Sequence, residues 1–239
     1  MSNNTRLYNL LDGFNGAKAI PTQSKEDYLI DHFEQFAQEM IYGGYIRVRN
    51  EYAIFISKVE FYYHEENAAP GELGFDGIVY HRDGRFIGRE VPYFPMMTLH
   101  SHWSGFDITF EKESGHYRAS ALIRQYVVLD LNEKKFVKLD TSGNYEKVPD
   151  KKDNNNLVGR VCLKDEPVID TRSTYLQYFL NGFSMNGDDS KVEWCEISNP
   201  EYHKPKRETR QNAPDHDWGF IYGNKKEYEA CVLRAKEIL

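Results

Sequence analysis

The chain of 239 residues has few cysteines and no long apolar segment. Its three cysteines, Cys162, Cys195 and Cys231, form neither a Cys-x-x-Cys pair nor a zinc-binding pattern. Their odd number favours free thiols in a reducing compartment. No apolar run approaches the roughly 18 residues that a membrane span needs, and the first 15 residues lack the basic segment and apolar core of a secretory signal. We therefore expect a cytoplasmic protein, or a nuclear one in a eukaryote, without membrane contact.

Positive charge is also scarce, because the formal net charge is −7. A chain with this balance is not expected to bind polyanions over its whole surface, although local basic patches can still form. Two stretches are locally basic and supply the candidates for contact with nucleic acid: Arg82, Arg85 and Arg89 in one, and Lys204, Lys206, Arg207 and Arg210 in the other.

The hydrophobic residues that are present follow the patterns of a mixed fold. Residues 1–23 are polar and predict a flexible N-terminal arm, and residues 24–239 predict one domain. Apolar residues three and four apart between 29 and 41 predict a helix, which Ser24 caps and Gly43-Gly44 ends. A second helix is expected over residues 225–239.

Most of the remaining pattern predicts strands, which are rich in β-branched and aromatic residues. The predicted strands are residues 45–49, 52–63, 98–103, 106–110, 118–131, 191–197 and 218–222. No internal repeat or long linker divides the chain. The economical fold class is α+β, a single domain with a mixed, mostly antiparallel, curved sheet flanked by helices.

Glu60 is unusual within the predicted strand of residues 52–63. It stands in an apolar run, residues 54–63, where a carboxylate is costly to bury unless it is paired or used. Tyr62 projects from the same face, because side chains alternate with a period of two. A carboxylate beside an aromatic ring is suited to activating water next to a flat ligand. The alternative is an edge-strand glutamate in a solvated ion pair.

Several motifs, taken in order, resemble the alkyladenine (3-methyladenine) DNA glycosylase family. The run Val59-Glu60-Phe61-Tyr62 is similar to a family strand whose catalytic glutamate stands two residues before a tyrosine. Other similar segments are residues 33–48, 81–85, 98–99, 105, 122–124 and 218–224. The resemblance extends from about residue 31 to residue 224 and is poor over residues 130–172. It implies the fold of that family.

The resemblance also implies a role for each matched residue. Glu60 would activate water against the sugar carbon C1′, without a metal or a cofactor. Arg124 would lie beside Glu60 and keep it ionised. Tyr62 would stack on the extruded base, and His81 would contact the edge of the base.

The chain departs from the family pattern where the pocket would be completed. The second pocket tyrosine of the family is matched by His102, and the tyrosine before it is matched by His100. Trp103 stands next to the position of the tyrosine that the family inserts into the duplex. Glu111 replaces the asparagine at the pocket floor, so a base with a donor edge or a positive charge would be favoured.

These observations leave three functions open. The first is a monomeric nucleobase N-glycosidase that hydrolyses the N-glycosidic bond of a modified purine in DNA. The second is the same chemistry on a free nucleoside, nucleotide or nucleotide signal. The third is a non-catalytic protein that binds a nucleobase or nucleotide in the same pocket. The negative net charge weakens the case for DNA, since phosphate contacts supply most non-specific affinity.

Overall fold

Two 14-residue strands, β2 (Tyr52–Glu65) and β5 (Tyr117–Asp130), run antiparallel through the middle of the sheet. The computed structural model describes residues 5–48, 50–77, 93–102, 105–136, 168–170, 192–210, 216–224 and 238. In that part the fold is α+β, with an open, mostly antiparallel sheet and two α-helices. The fold class predicted from sequence is confirmed at this level.

The outer edges of β2 and β5 are each shared by several shorter strands. The far edge of β2 pairs first with β1 (Gly44–Val48) and then with β10 (Gly219–Ile221). The far edge of β5 pairs with β4 (Gly105–Thr109), β7 (Val168–Asp170) and β6 (Lys135–Phe136). Three further strands extend the sheet outwards: β3 (Leu99–His102) beside β4, β8 (Glu193–Glu196) beside β1, and β9 (Lys206–Glu208) beside β10.

Helix α2 (Thr22–Gln38) covers one face of the sheet, as its apolar spacing predicts. Its Phe33 ring stacks on Phe61 of β2 with centroids 4.8 Å apart. The helix begins after Pro21 rather than at the predicted cap, Ser24, whose backbone N–H donates to the Pro21 carbonyl. It runs into a π-helical turn, Glu39–Gly43, before β1 begins.

The N-terminal arm corrects the sequence prediction. Instead of a loose segment, the chain forms helix α1 (Arg6–Gly13), capped by the Thr5 hydroxyl, which accepts from the Tyr8 N–H. Leu7 and Leu11 are four residues apart, lie on one face of the helix and are buried in the main core. The polar composition of the arm concealed this short apolar stripe.

The two faces of the central strands differ in chemistry although both are buried. The face towards α2 is apolar, with Val59 and Phe61 on β2, Ala121 and Ile123 on β5, and Ile108 on β4. The opposite face, called the polar face below, alternates with it and carries mainly polar side chains: Glu60, Tyr62, His64, Asp107, Thr109, Arg118, Ser120, Leu122 and Arg124. A buried face of this composition must satisfy its polar groups internally or with a ligand.

Two further outcomes concern the predicted elements. Seven predicted strands correspond to β1, β2, β3, β4, β5, β8 and β10, with their ends shifted by up to a few residues, whereas β7 and β9 were not predicted. The predicted C-terminal helix lies outside the described residues. None of the helices in the described part of the chain has the length and apolar content needed to cross a membrane.

Candidate functional site

Glu60, Tyr62 and Arg124 meet on the polar face. Both Nε and Nη2 of Arg124 lie 2.7 Å from Glu60 Oε2. The Tyr62 hydroxyl donates to the same oxygen at 3.1 Å, and Arg124 Nη2 lies 3.4 Å from that hydroxyl. Glu60 and Arg124 each have 0% of their surface exposed. Three residues that the sequence placed in one site are therefore brought together, and their charges are balanced inside the protein.

An irregularity in the β2–β5 pairing brings Arg124 to this position. The register passes over Ser57 on β2 and Arg124 on β5, between the pairs Ile56–Tyr126 and Val59–Ile123. Irregularities of this kind re-aim side chains and are frequent next to functional sites. Regular pairing resumes at Glu60, which faces Leu122.

The electrostatics of the cluster fix its proton positions. Burial raises the pKa of the Tyr62 phenol far above its usual range, so the hydroxyl stays protonated and donates to Glu60. Burial acts to lower the pKa of Arg124, but the Glu60 carboxylate and Tyr62 together raise it above its ordinary value. Arg124 therefore remains a cation beside the carboxylate.

Arg210 covers one side of the cluster and is not a surface residue. Only 1% of it is exposed. Its guanidinium carbon lies 4.6 Å from the Tyr62 ring centroid and 5.1 Å from that of Trp218. Its Nη1 donates to Asp76 Oδ2 at 2.6 Å and to the Phe61 carbonyl at 3.2 Å. The sequence placed Arg210 among nucleic-acid contacts, whereas its charge is directed inward, towards the tyrosine expected to stack on a base.

The cluster continues through apolar contacts towards the outside of the protein. Tyr62 and Leu122 pack together, and Phe94 packs against them. The Phe94 ring also contacts the His100 ring, with centroids 4.7 Å apart. Phe94 and His100 are both partly exposed, unlike Glu60. Within the described part of the chain, the polar face therefore reaches solvent at His100, a residue that the sequence placed in the pocket.

Glu111 lies farther along the polar face and has partners of its own. It accepts from the backbone N–H of Phe94, and its Oε1 is 3.6 Å from Arg118 Nη1. Arg118 also donates to Glu66 at 2.9 Å and lies 4.0 Å from the Tyr93 ring centroid. In this arrangement Glu111 anchors the segment that carries Phe94, a role that the predicted pocket floor did not include.

Asp107 is a buried carboxylate that the sequence reasoning missed. It lies on β4 opposite Leu122, which in turn faces Glu60, so all three side chains point to the polar face. On its other side Asp107 faces His100 of β3. An acidic residue at the middle of the apolar alternation Phe106, Ile108 and Phe110 was the signal that could have found it.

The second basic stretch is largely neutralised where the structure describes it. Lys204 lies 3.0 Å from Glu34, and Lys206 lies 3.0 Å from Glu208. Glu208 also pairs with Lys58 at 2.9 Å. Burial acts to raise the pKa of Glu208, but hydrogen bonds from Lys58 and Lys206 hold that pKa below its usual value. The side chains of Lys204, Lys206 and Arg207 are all exposed, whereas Arg210 is buried.

The other predicted site residues lie outside the described part of the chain. They are His81, Trp103, Arg82, Arg85 and Arg89, together with the side chain of His102. The backbone of His102 is described and pairs with Gly105. Among the described residues, no group of three or more His, Cys, Asp or Glu side chains is placed to hold a metal ion.

Comparison of the chain with protein-family models, with curated proteins and with solved structures found no match. The similarity to the alkyladenine DNA glycosylases thus remains a prediction from sequence motifs. What supports a functional site is the cluster itself: a buried carboxylate with an arginine and a tyrosine on one oxygen, beside aromatic rings that lead towards solvent.

Proposed function

We propose that the protein is a nucleobase N-glycosidase and that Glu60 activates the attacking water. The observation that carries this proposal is the convergence of Arg124 and Tyr62 on Glu60 Oε2. An arginine in contact favours the ionised form of a carboxylate, which is the form that accepts a proton. The rings of Tyr62 and Phe94 lie in the same cluster, and stacking on such rings is how proteins hold a flat base.

The reaction is a single hydrolytic displacement. The water oxygen forms a bond to the sugar C1′ and transfers a proton to Glu60. The bond from C1′ to the base nitrogen breaks, and its electron pair leaves with the base. Arg124 and Tyr62 hold the carboxylate in place, which removes the need to orient it during the reaction. The substrate would reach Glu60 from the side of Phe94 and His100, which are partly exposed.

The charges around the site favour a free nucleoside or nucleotide over DNA as the substrate. Binding to a duplex depends on cations that neutralise several phosphates. In the described residues Lys204 and Lys206 have carboxylate partners, and Arg210 is buried against Asp76. A small substrate needs few such contacts.

Full burial of Glu60 favours one alternative, a non-catalytic pocket that binds a nucleobase. A buried ion pair can persist for structural reasons alone, without any reaction. This alternative predicts saturable binding of a nucleobase or nucleotide by calorimetry, with no release of base on any substrate.

One assay separates these possibilities. The full chain is incubated in water labelled with oxygen-18, with modified purines as free nucleosides, as mononucleotides and within duplex oligonucleotides. We expect release of the base with the label at C1′, and faster release from the free substrates. Release from oligonucleotides alone would overturn the preference for small substrates. No release from any substrate by the folded protein would contradict the glycosidase proposal.

A further inference from the structure

His100, Asp107, Leu122 and Glu60 form one row across four neighbouring strands. His100 of β3 faces Asp107 of β4, Asp107 faces Leu122 of β5, and Leu122 faces Glu60 of β2. Directly opposite residues in antiparallel strands project to the same face of the sheet. The row therefore sets an imidazole and two carboxylates on the polar face, with a leucine between the carboxylates.

The members of the row are close enough to act on one small ligand. Strands lie about 4.8 Å apart, so the Cα atoms of Asp107 and Glu60 are roughly 10 Å apart and those of His100 and Glu60 roughly 14 Å. Side-chain contacts link His100 with the cluster around Glu60. Phe94 contacts both the His100 ring and the Tyr62–Leu122 pair, and Tyr62 donates to Glu60.

Asp107 of β4 and His100 of β3 differ in burial. Asp107 is 2% exposed, whereas His100 is partly exposed. Opposite residues have Cβ atoms about 4.5–5.5 Å apart, which places the Asp107 carboxylate within reach of the His100 ring. A carboxylate behind an imidazole fixes its tautomer and favours its protonated form.

We propose that His100, positioned by Asp107, is the proton donor to the departing base, while Glu60 accepts the proton of the attacking water. This inference rests on the proposed glycosidase function and names its acid. As the bond from C1′ to the base nitrogen breaks, its electron pair moves into the purine ring. The His100 imidazolium N–H protonates a ring nitrogen, so that the purine leaves neutral. Exchange with solvent then returns a proton to His100 and removes one from Glu60.

The assignment makes the need for His100 depend on the leaving group. Hypoxanthine is a poor leaving group unless it is protonated as it departs. A purine methylated at N7 already carries a positive charge in the nucleoside and departs neutral without a donor. A residue that only supports the fold would affect the two substrates alike.

The test compares these two bases on the sugar that the wild-type protein hydrolyses. For His100→Gln, kcat on the hypoxanthine substrate should fall about a hundredfold or more, the usual contribution of a general acid, and on the 7-methylguanine substrate about threefold or less. Asp107→Asn should show the same selectivity with a smaller loss. Ile108→Val, next to Asp107 on the apolar face, is the control and should leave the ratio of the two rates unchanged.

The possible outcomes are distinguishable. Equal losses on both bases in His100→Gln would overturn this assignment and leave the glycosidase proposal standing, provided that the wild-type protein is active. A selective loss in His100→Gln without one in Asp107→Asn would overturn the positioning role of Asp107. An inactive wild-type protein would overturn the proposed function and this inference together.

Discussion

Arg124 holds one oxygen of Glu60 from the neighbouring strand, with Nε and Nη2 each 2.7 Å from Oε2. Neither residue is exposed to solvent. Removing one member of such a pair leaves the other as an uncompensated buried charge, which is far more costly than removing both. The contribution of the pair to stability can therefore be measured by mutation, without an assay of activity.

The first prediction concerns this pair. Arg124→Met should lower the free energy of unfolding by about 3–5 kcal/mol, because the Glu60 charge loses its partner. The double variant Glu60→Gln with Arg124→Met should recover part of that loss. Urea denaturation of the wild type, both single variants and the double variant provides the measurement. Losses that simply add would contradict an ionised, mutually stabilising pair.

The second prediction concerns Arg210, which lies between the rings of Tyr62 and Trp218 and donates to Asp76. Arg210→Met should cost about 3–5 kcal/mol, since the Asp76 carboxylate stays buried without its cation. Arg207→Met, on exposed β9, is the matched control and should change stability by about 0.5 kcal/mol or less. Wild-type stability in Arg210→Met would instead support a surface role for this residue.

The third prediction concerns helix α1. Leu11 is fully buried against the main core, whereas Leu10 is only partly buried. Leu11→Ala should lower the free energy of unfolding by about 2–5 kcal/mol, the usual cost of deleting a buried leucine. Leu10→Ala should cost clearly less. Equal and negligible effects in thermal denaturation would restore the flexible arm predicted from sequence.

The fourth prediction concerns pH and Glu39 in the π-helical turn. Burial raises the pKa of Glu39, and the Tyr202 hydroxyl and Arg6 only partly oppose this effect. A pKa that is higher in the folded state means that stability is lost as pH rises from about 4.3, the value in an unfolded chain, through the raised value. Glu39→Gln should remove this loss.

The measurement is the free energy of unfolding from pH 4 upwards, compared between variants. Over the affected range the slope of this free energy against pH should be more positive in Glu39→Gln than in the wild type, because the contribution of Glu39 falls as pH rises. Glu26→Gln, at an exposed position on α2, controls for the change of one charge and should keep the wild-type slope. An unchanged slope in Glu39→Gln would show that burial does not dominate at this carboxylate.

The sequence predicted those parts of the fold whose signals are local. Helix α2 and the long strands followed from the spacing of residues such as Phe33 and Phe61, which stack in the core. The short strand β9 did not, because Lys206–Glu208 has no apolar alternation and is held by backbone pairing to β10. Pairing partners of this kind are set by the tertiary fold rather than by propensity.

The candidate site could be predicted only in part, because some of its contacts are set by the tertiary fold. Glu60, Tyr62 and Arg124 could be placed together, because the matched sequence motifs put Arg124 on a strand beside Glu60. Arg210 and Asp76 are 134 residues apart, and nothing in either stretch indicates the other. Asp107 reached the polar face through a register that only the folded sheet defines.

The most direct test of the central claim is base release by Glu60→Gln. The substitution keeps the shape of the side chain and removes the proton acceptor. Glu65→Gln is the matched control, since Glu65 lies on the same strand, is buried and pairs with Lys25 at 2.8 Å, but faces the α2 side. We predict that Glu60→Gln lowers kcat about a hundredfold or more, while the folded fraction of Glu65→Gln retains wild-type turnover. Unchanged base release in Glu60→Gln would contradict the account.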